Sequence, residues 1–112
     1  MKRLSEFKNE EGIVVVARLL QPIFRIVAGM EKPDGMSSIE YVSKMLEKNP
    51  KDVMEIFAIL SEVPVEEYSC NGASVMMDAL KLASDKELMS LFGLQSQTQT
   101  SSGSASESTG DQ

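Results

Sequence analysis

The sequence predicts an all-α fold: a single small domain of four to five helices followed by a disordered polar C-terminal tail. Three observations carry this. Apolar residues recur at three- and four-residue intervals through most of the chain, the period of helices packed on one face. Helix-start signals (Asn9, Ser37 with Glu40, Asn49 with Pro50, Asn71) precede each apolar stretch. The chain has 112 residues, 42% hydrophobic and 25% charged, which allows one modest core.

The elements follow in order. Asn9 can cap a first helix, with Glu10 and Glu11 in its first turn opposing the macrodipole. Nearly every position over residues 13–28 is apolar. The exceptions, Arg18, Gln21 and Arg25, are three and four apart and share one stripe. A helix with so narrow a polar stripe is expected to be almost wholly covered, by its own domain or by a partner. Val16 and Leu20 are expected in the core, where aspartate would unfold the domain. Pro22 removes one helical hydrogen bond. The stripe continues past it in phase, so a kink is expected rather than a break. The β-branched run Ile13-Val14-Val15-Val16 leaves a strand as the alternative for that segment.

Gly29 and Lys32-Pro33-Asp34-Gly35 predict a loop. Ser37 and Glu40 read as a capping box opening a second helix over residues 38–48, with Val42, Met45 and Leu46 as its apolar face. Asn49 can cap a third helix with Pro50 in its first position. Val53, Ile56, Phe57 and Leu60 form its core stripe, Asp52, Glu55 and Glu62 face away, and Pro64 ends it. Val65-Glu66-Glu67-Tyr68 connects to a fourth helix, started by Asn71 and carrying Val75, Met76, Ala79, Leu80 and Ala83. Ser84 and Glu87 read as a second capping box for a short last helix through Leu88, Leu91 and Phe92, with Gly93 as its C-terminal stop. The domain is expected over residues 1–94. Residues 95–112, QSQTQTSSGSASESTGDQ, hold one apolar residue, Ala105, and cannot offset the entropy of ordering.

Composition narrows the chemistry. Lys plus Arg number 11 and Asp plus Glu 17, giving a net charge of −6, of which Glu107 and Asp111 place −2 in the tail. An acidic surface repels phosphate backbones and anionic lipid, so neither nucleic acid nor membrane is expected as a partner. Histidine is absent and cysteine occurs once, which removes Ser-His-Asp and Cys-His catalysis, Cys/His zinc sites and an internal disulfide. The start, Lys2-Arg3 before an apolar run, fails as a secretory signal because Glu6, Lys8, Glu10 and Glu11 interrupt it. No stretch of ~20 uninterrupted apolar residues suggests a membrane span. A cytoplasmic protein is expected.

Other signatures fail on their residues. No Gly-rich loop ends in Gly-Lys-Ser/Thr. Asp34-Gly35 resembles a calcium loop, but Met30 and Lys32 stand where carboxylates are needed and Tyr41 where the bidentate Glu belongs. Glu66-Glu67 has no acid/base partner, and Cys70 has neither a histidine nor a second cysteine. No catalytic residue, cofactor or metal site is expected. The eight methionines fill core gaps on the plainer reading. On the sharper one, those at 36, 45, 54, 76, 77 and 89 help form an adaptable binding surface.

The order of features resembles the tail assembly chaperones of long-tailed (siphovirus-type) phages and prophages of Gram-positive bacteria. The resemblance rests on several stretches: the opening Met1-Lys2-Arg3-Leu4-Ser5-Glu6-Phe7-Lys8-Asn9-Glu10-Glu11, the Gln21-Pro22-Ile23 step, the connector Val63-Pro64-Val65-Glu66-Glu67-Tyr68, the close at Leu91-Phe92-Gly93, and the polar end around Ser102-Gly103-Ser104. The loop over residues 32–36 departs from the pattern, where more helix would be expected. The resemblance implies an ATP-independent chaperone, absent from the mature virion and working in the bacterial host cytoplasm. It would bind the tape measure protein, keep it soluble and help recruit tail tube subunits. It brings no catalytic residues.

Physically, an apolar first helix and a methionine-rich fourth helix on a domain too small to bury everything predict protein binding through apolar helix faces. Phe24, Ile59, Met76 and Met77 are the candidate contacts, and self-association into a homo-oligomer is compatible with the same faces. The competing reading is a small acidic helical regulatory protein, antirepressor-like, acting by protein–protein binding. A helix-turn-helix DNA reader ranks below it, because no helix shows a basic face.

Overall fold

A computed structural model describes residues 1–31 and 33–93. The expected tail, residues 95–112, lies outside the described residues. Five helices follow one another: α1 (Asn9–Gly29), α2 (Ser38–Lys48), α3 (Pro50–Leu60), α4 (Gly72–Ser84) and α5 (Lys86–Leu91). Single 3₁₀ turns precede α1 (Leu4–Glu6) and follow α3 (Val65–Glu67), and no strand occurs among the described residues. The all-α expectation holds, and the β-branched run at residues 13–16 is helical.

Packing is serial. α1 lies on α3, α3 on α2, α2 on α4, and α4 on α5, which meets the turn before α1. The middle of the core comes from α2 and α3: Tyr41, Val42, Met45, Val53, Ile56, Phe57 and Leu60 are buried, and the Tyr41 ring meets Phe92 edge-on at 5.8 Å. α1 contributes Val15, Leu19, Pro22, Ile23 and Ile26, and it runs through Pro22 as one helix. Ala79 and Leu82 are the buried residues of α4, and Leu88 and Met89 those of α5.

Caps decide the boundaries. Ser37 and Glu40 form the expected capping box, with the Glu40 N–H donating to Ser37 Oγ at 3.2 Å and the Ser37 N–H to Glu40 Oε1 at 3.1 Å. Asn71 caps α4 as expected, reciprocally with Ser74.

Three expected caps are corrected. Asn9 does not cap α1: Lys8 holds that position, and Asn9 enters the helix at φ 56°, a left-handed conformation its short amide tolerates. The Asn49 side chain caps nothing at α3, because that residue also ends α2 and its backbone serves both helices. The cap of α5 is Asp85 rather than Ser84, and its Oδ1 accepts the Leu88 N–H at 3.2 Å. The second oxygen, Oδ2, accepts the Leu4 N–H at 2.8 Å, tying residues 81 positions apart. Asp85 is the one charged side chain buried among the described residues, and these two donors satisfy it.

The end of α3 departs from the expectation built on Pro64. The helix closes at Ser61, and Glu62 takes φ 61°. The Val63 N–H donates to the Ala58 carbonyl at 3.0 Å and the Glu62 N–H to Ile59 at 3.1 Å, the two bonds of a Schellman stop. Glycine is the usual occupant of that position; here glutamate fills it and pairs with Lys2 at 3.0 Å. The Lys2 N–H donates to the Leu60 carbonyl at 2.9 Å, so the N-terminal segment seals the end of α3. The Glu62 hydrogen bond raises the Lys2 pKa above its ordinary value.

Gly12 shows why the α1 entry needs glycine. A Cβ there would stand 2.8 Å from the Phe7 carbonyl oxygen, closer than real side chains approach. An exposed helical Gly→Ala change ordinarily gains ~1 kcal/mol. Gly12→Ala should instead lose about 1–2 kcal/mol, because the Phe7 segment must shift. Urea denaturation of the two proteins checks the sign.

Candidate functional site

The placement of apolar side chains on α1 generates the main surface feature. At 100° per residue, Val15, Leu19, Ile23 and Ile26 make one face, turned to α3 and buried. Ile13, Leu20, Phe24 and Val27 make a second apolar face and remain exposed, Ile13 at 72% and Phe24 at 77%. Arg18, Gln21 and Arg25 run down one side between the two faces. The expectation that Val16 and Leu20 belong to the core is therefore corrected: Val16 is half-buried and Leu20 is 47% exposed. By length and composition α1 is also apolar enough to cross a membrane, a property the sequence reading missed by requiring an unbroken apolar run.

Asp52 and Glu55 do not face away from the body, as their spacing suggested. Arg25 donates to Asp52 Oδ1 at 2.8 Å and to Glu55 Oε1 at 2.7 Å, bridging α1 and α3. The Asp52 hydrogen bond raises the arginine pKa further above its already high ordinary value, with the charges of both carboxylates adding to it.

A second exposed apolar patch lies on α4. Met76 (66% exposed), Met77 (60% exposed) and Leu80 point away from α2, while Ala79 and Leu82 point toward the core. Leu82, which the apolar spacing of α4 did not single out, is the fully buried residue of this helix.

The third feature is a groove between α1 and the end of α3, made of two hollows of about 400 and 340 Å³ that share Arg18, Ile59 and Glu62. Ile59 is half-buried on its floor. Of the four candidate contacts, Phe24 thus sits on the outer face of α1, Ile59 in the groove, and Met76 with Met77 on α4. The structure brings only the two methionines together. Leu20, Ile13, Val27 and Leu80 belong to the same exposed surfaces and were not among the contacts expected from the sequence. The signal was there in α1: a helix apolar all round carries two apolar faces, and α3 covers one.

Tyr68 joins the connector to α4. Its hydroxyl donates to Asp78 Oδ2 at 3.3 Å, and burial, then the Asp78 charge, pushes its pKa up to about 12. Burial also raises Tyr41. Both folded values lie above the unfolded value of 10.0, so the stability these groups contribute is complete below pH 10 and is lost as pH rises toward 12. A tyrosinate absorbance titration of the folded protein should therefore begin above that of the urea-unfolded chain, and Tyr68→Phe should flatten the alkaline loss of stability.

No group of three or more His, Cys, Asp or Glu side chains among the described residues could hold a metal ion. Cys70 is exposed and free. No protein-family model, curated protein or solved structure matches the chain.

Proposed function

We propose that the protein is an assembly chaperone that works without ATP or catalysis, holding a long apolar helical client in solution until it is assembled. On the resemblance of the sequence to phage tail assembly chaperones, the client is a tape measure protein, with tail tube subunits recruited to the complex in the bacterial host cytoplasm. The observation that carries the reading is the exposed apolar surface of α4, Met76 with Met77 and Leu80, on a small acidic helical domain. Unbranched thioethers repack against differing apolar partners, which suits a client that offers many similar helical faces. The acidic surface supports solubility of the loaded complex.

Co-expression with tape measure fragments tests this. Soluble recovery should rise with the protein present and fall severalfold with Met77→Lys, a change at an exposed site that leaves the helical spectrum intact. Unchanged recovery, with no complex surviving gel filtration, would remove the reading.

A further inference from the structure

The outer face of α1 has the spacing of a helix–helix seam. Ile13, Ala17, Leu20, Phe24 and Val27 are separated by four, three, four and three residues, the alternation of a and d positions in a heptad repeat, and all five are exposed. The positions flanking this line carry no charge: Val14, Gln21 and Ala28 on one side, Val16 on the other. We propose that this seam pairs with the same seam of a second copy of the chain, the two α1 helices running antiparallel.

Three features select a second copy and the antiparallel sense. The first is size complementarity. Setting Phe24 of one copy against Ile13 of the other places the two most exposed members of the seam together and sets small Ala17 against Leu20, so that the seam's one small residue faces a large one. The second is charge. Glu10 continues the seam one step before Ile13, while Arg25 is turned to Asp52 and Glu55 of α3. In this register each Glu10 meets Val27 and stands far from the other Glu10, and the macrodipoles oppose. A parallel pair would stack Glu10 on Glu10. The third is area. The exposed seam side chains offer on the order of 450 Å² per copy, and pairing two seams with their flanks removes about 1,000 Å², the lower bound for a specific interface. The dimer is therefore reversible, with micromolar dissociation. The inference stands apart from the client reading, since the α4 methionines lie on another helix and stay open in the pair.

The experiment is sedimentation of the full chain from about 1 to 100 µM, the range where such a dimer dissociates. The wild-type protein should shift from monomer to dimer. Phe24→Glu should stay monomeric throughout with an unchanged thermal midpoint, and Met77→Lys should dimerise as wild type. Register is read by disulfide trapping in a Cys70→Ser background. Ile13→Cys mixed with Phe24→Cys should cross-link on oxidation, while Ile13→Cys alone should not, because its two copies would stand about 16 Å apart along the axis. A wild-type monomer at every concentration, a dimer indifferent to Phe24→Glu, or efficient self-linking of Ile13→Cys would each overturn the proposal. Sedimentation with vesicles of phosphatidylcholine and phosphatidylglycerol, or with tape measure fragments, then tells whether a bilayer or a client takes the seam instead. Loss of the dimer leaves the Met77→Lys result standing, so the two readings fail separately.

Discussion

Leu19→Asp should leave no folded protein at 25 °C, while Leu20→Asp, one position on, should fold and melt close to wild type. Leu19 is fully buried at the contact of α1 with α3. An aspartate there loses the leucine packing and puts a carboxylate into the apolar core, a penalty of several kcal/mol against a total stability of roughly 5–15. Leu20, turned about 100° from Leu19 round the same helix, is nearly half exposed, so aspartate there stays hydrated and changes stability by about 0.5–1 kcal/mol. Circular dichroism at 25 °C with a thermal melt separates the two. Equal behaviour of the pair would mean that α1 is rotated from the orientation described.

Asp85→Ala should lower stability by about 3 kcal/mol, a fall in Tm of roughly 10–20 °C for a domain of this size. The carboxylate caps α5 through the Leu88 N–H and holds the first turn through the Leu4 N–H, at 3.2 and 2.8 Å. Alanine leaves both donors without a partner, and such bonds to an ionised group are stronger than neutral ones. Asp85→Asn keeps one carbonyl oxygen and should recover about half of the loss. Differential scanning calorimetry of the three proteins gives the order wild type, Asn, Ala. If Asn and Ala melt together, the carboxylate charge and not its geometry holds the turn.

Secondary structure was legible because its signals are local. The Ser37–Glu40 and Asn71 caps, Pro50 at the start of α3 and the Val53-Ile56-Phe57-Leu60 stripe lie within one or two turns of what they control. The failures share a different origin. Ser84 and Asp85 are both good capping residues side by side. Asp85 prevails because Leu4, distant in sequence, supplies a second donor. Glu62 gives no glycine signal for the end of α3, and its left-handed backbone is held by the Schellman bonds and the Lys2 contact. Asp52 and Glu55 read as solvent-facing until α1 brings Arg25 against them.

The candidate surface was legible in part for the same reason. Periodicity shows that α1 has two apolar faces, but only the position of α3 decides that Leu19 is inside and Leu20 outside. Phe24, Met76 and Met77 were named from residue type and are exposed. Ile59, the remaining candidate contact, lies half-buried in the α1–α3 groove.

The bond between Leu4 and Asp85 also bears on the order of folding. Closing a loop of that length costs entropy that nearby contacts such as those of α2 with α3 never meet, so the clasp forms after the helices have packed. Its loss should then leave the refolding rate almost untouched and appear as faster unfolding, the pattern of a contact absent from the transition state. During synthesis the first turn and the start of α1 wait, unclasped, until Asp85 has joined the chain. Throughout that interval a nascent molecule shows more apolar surface than the finished one, and its exposure to aggregation is greatest before its own last helix is made.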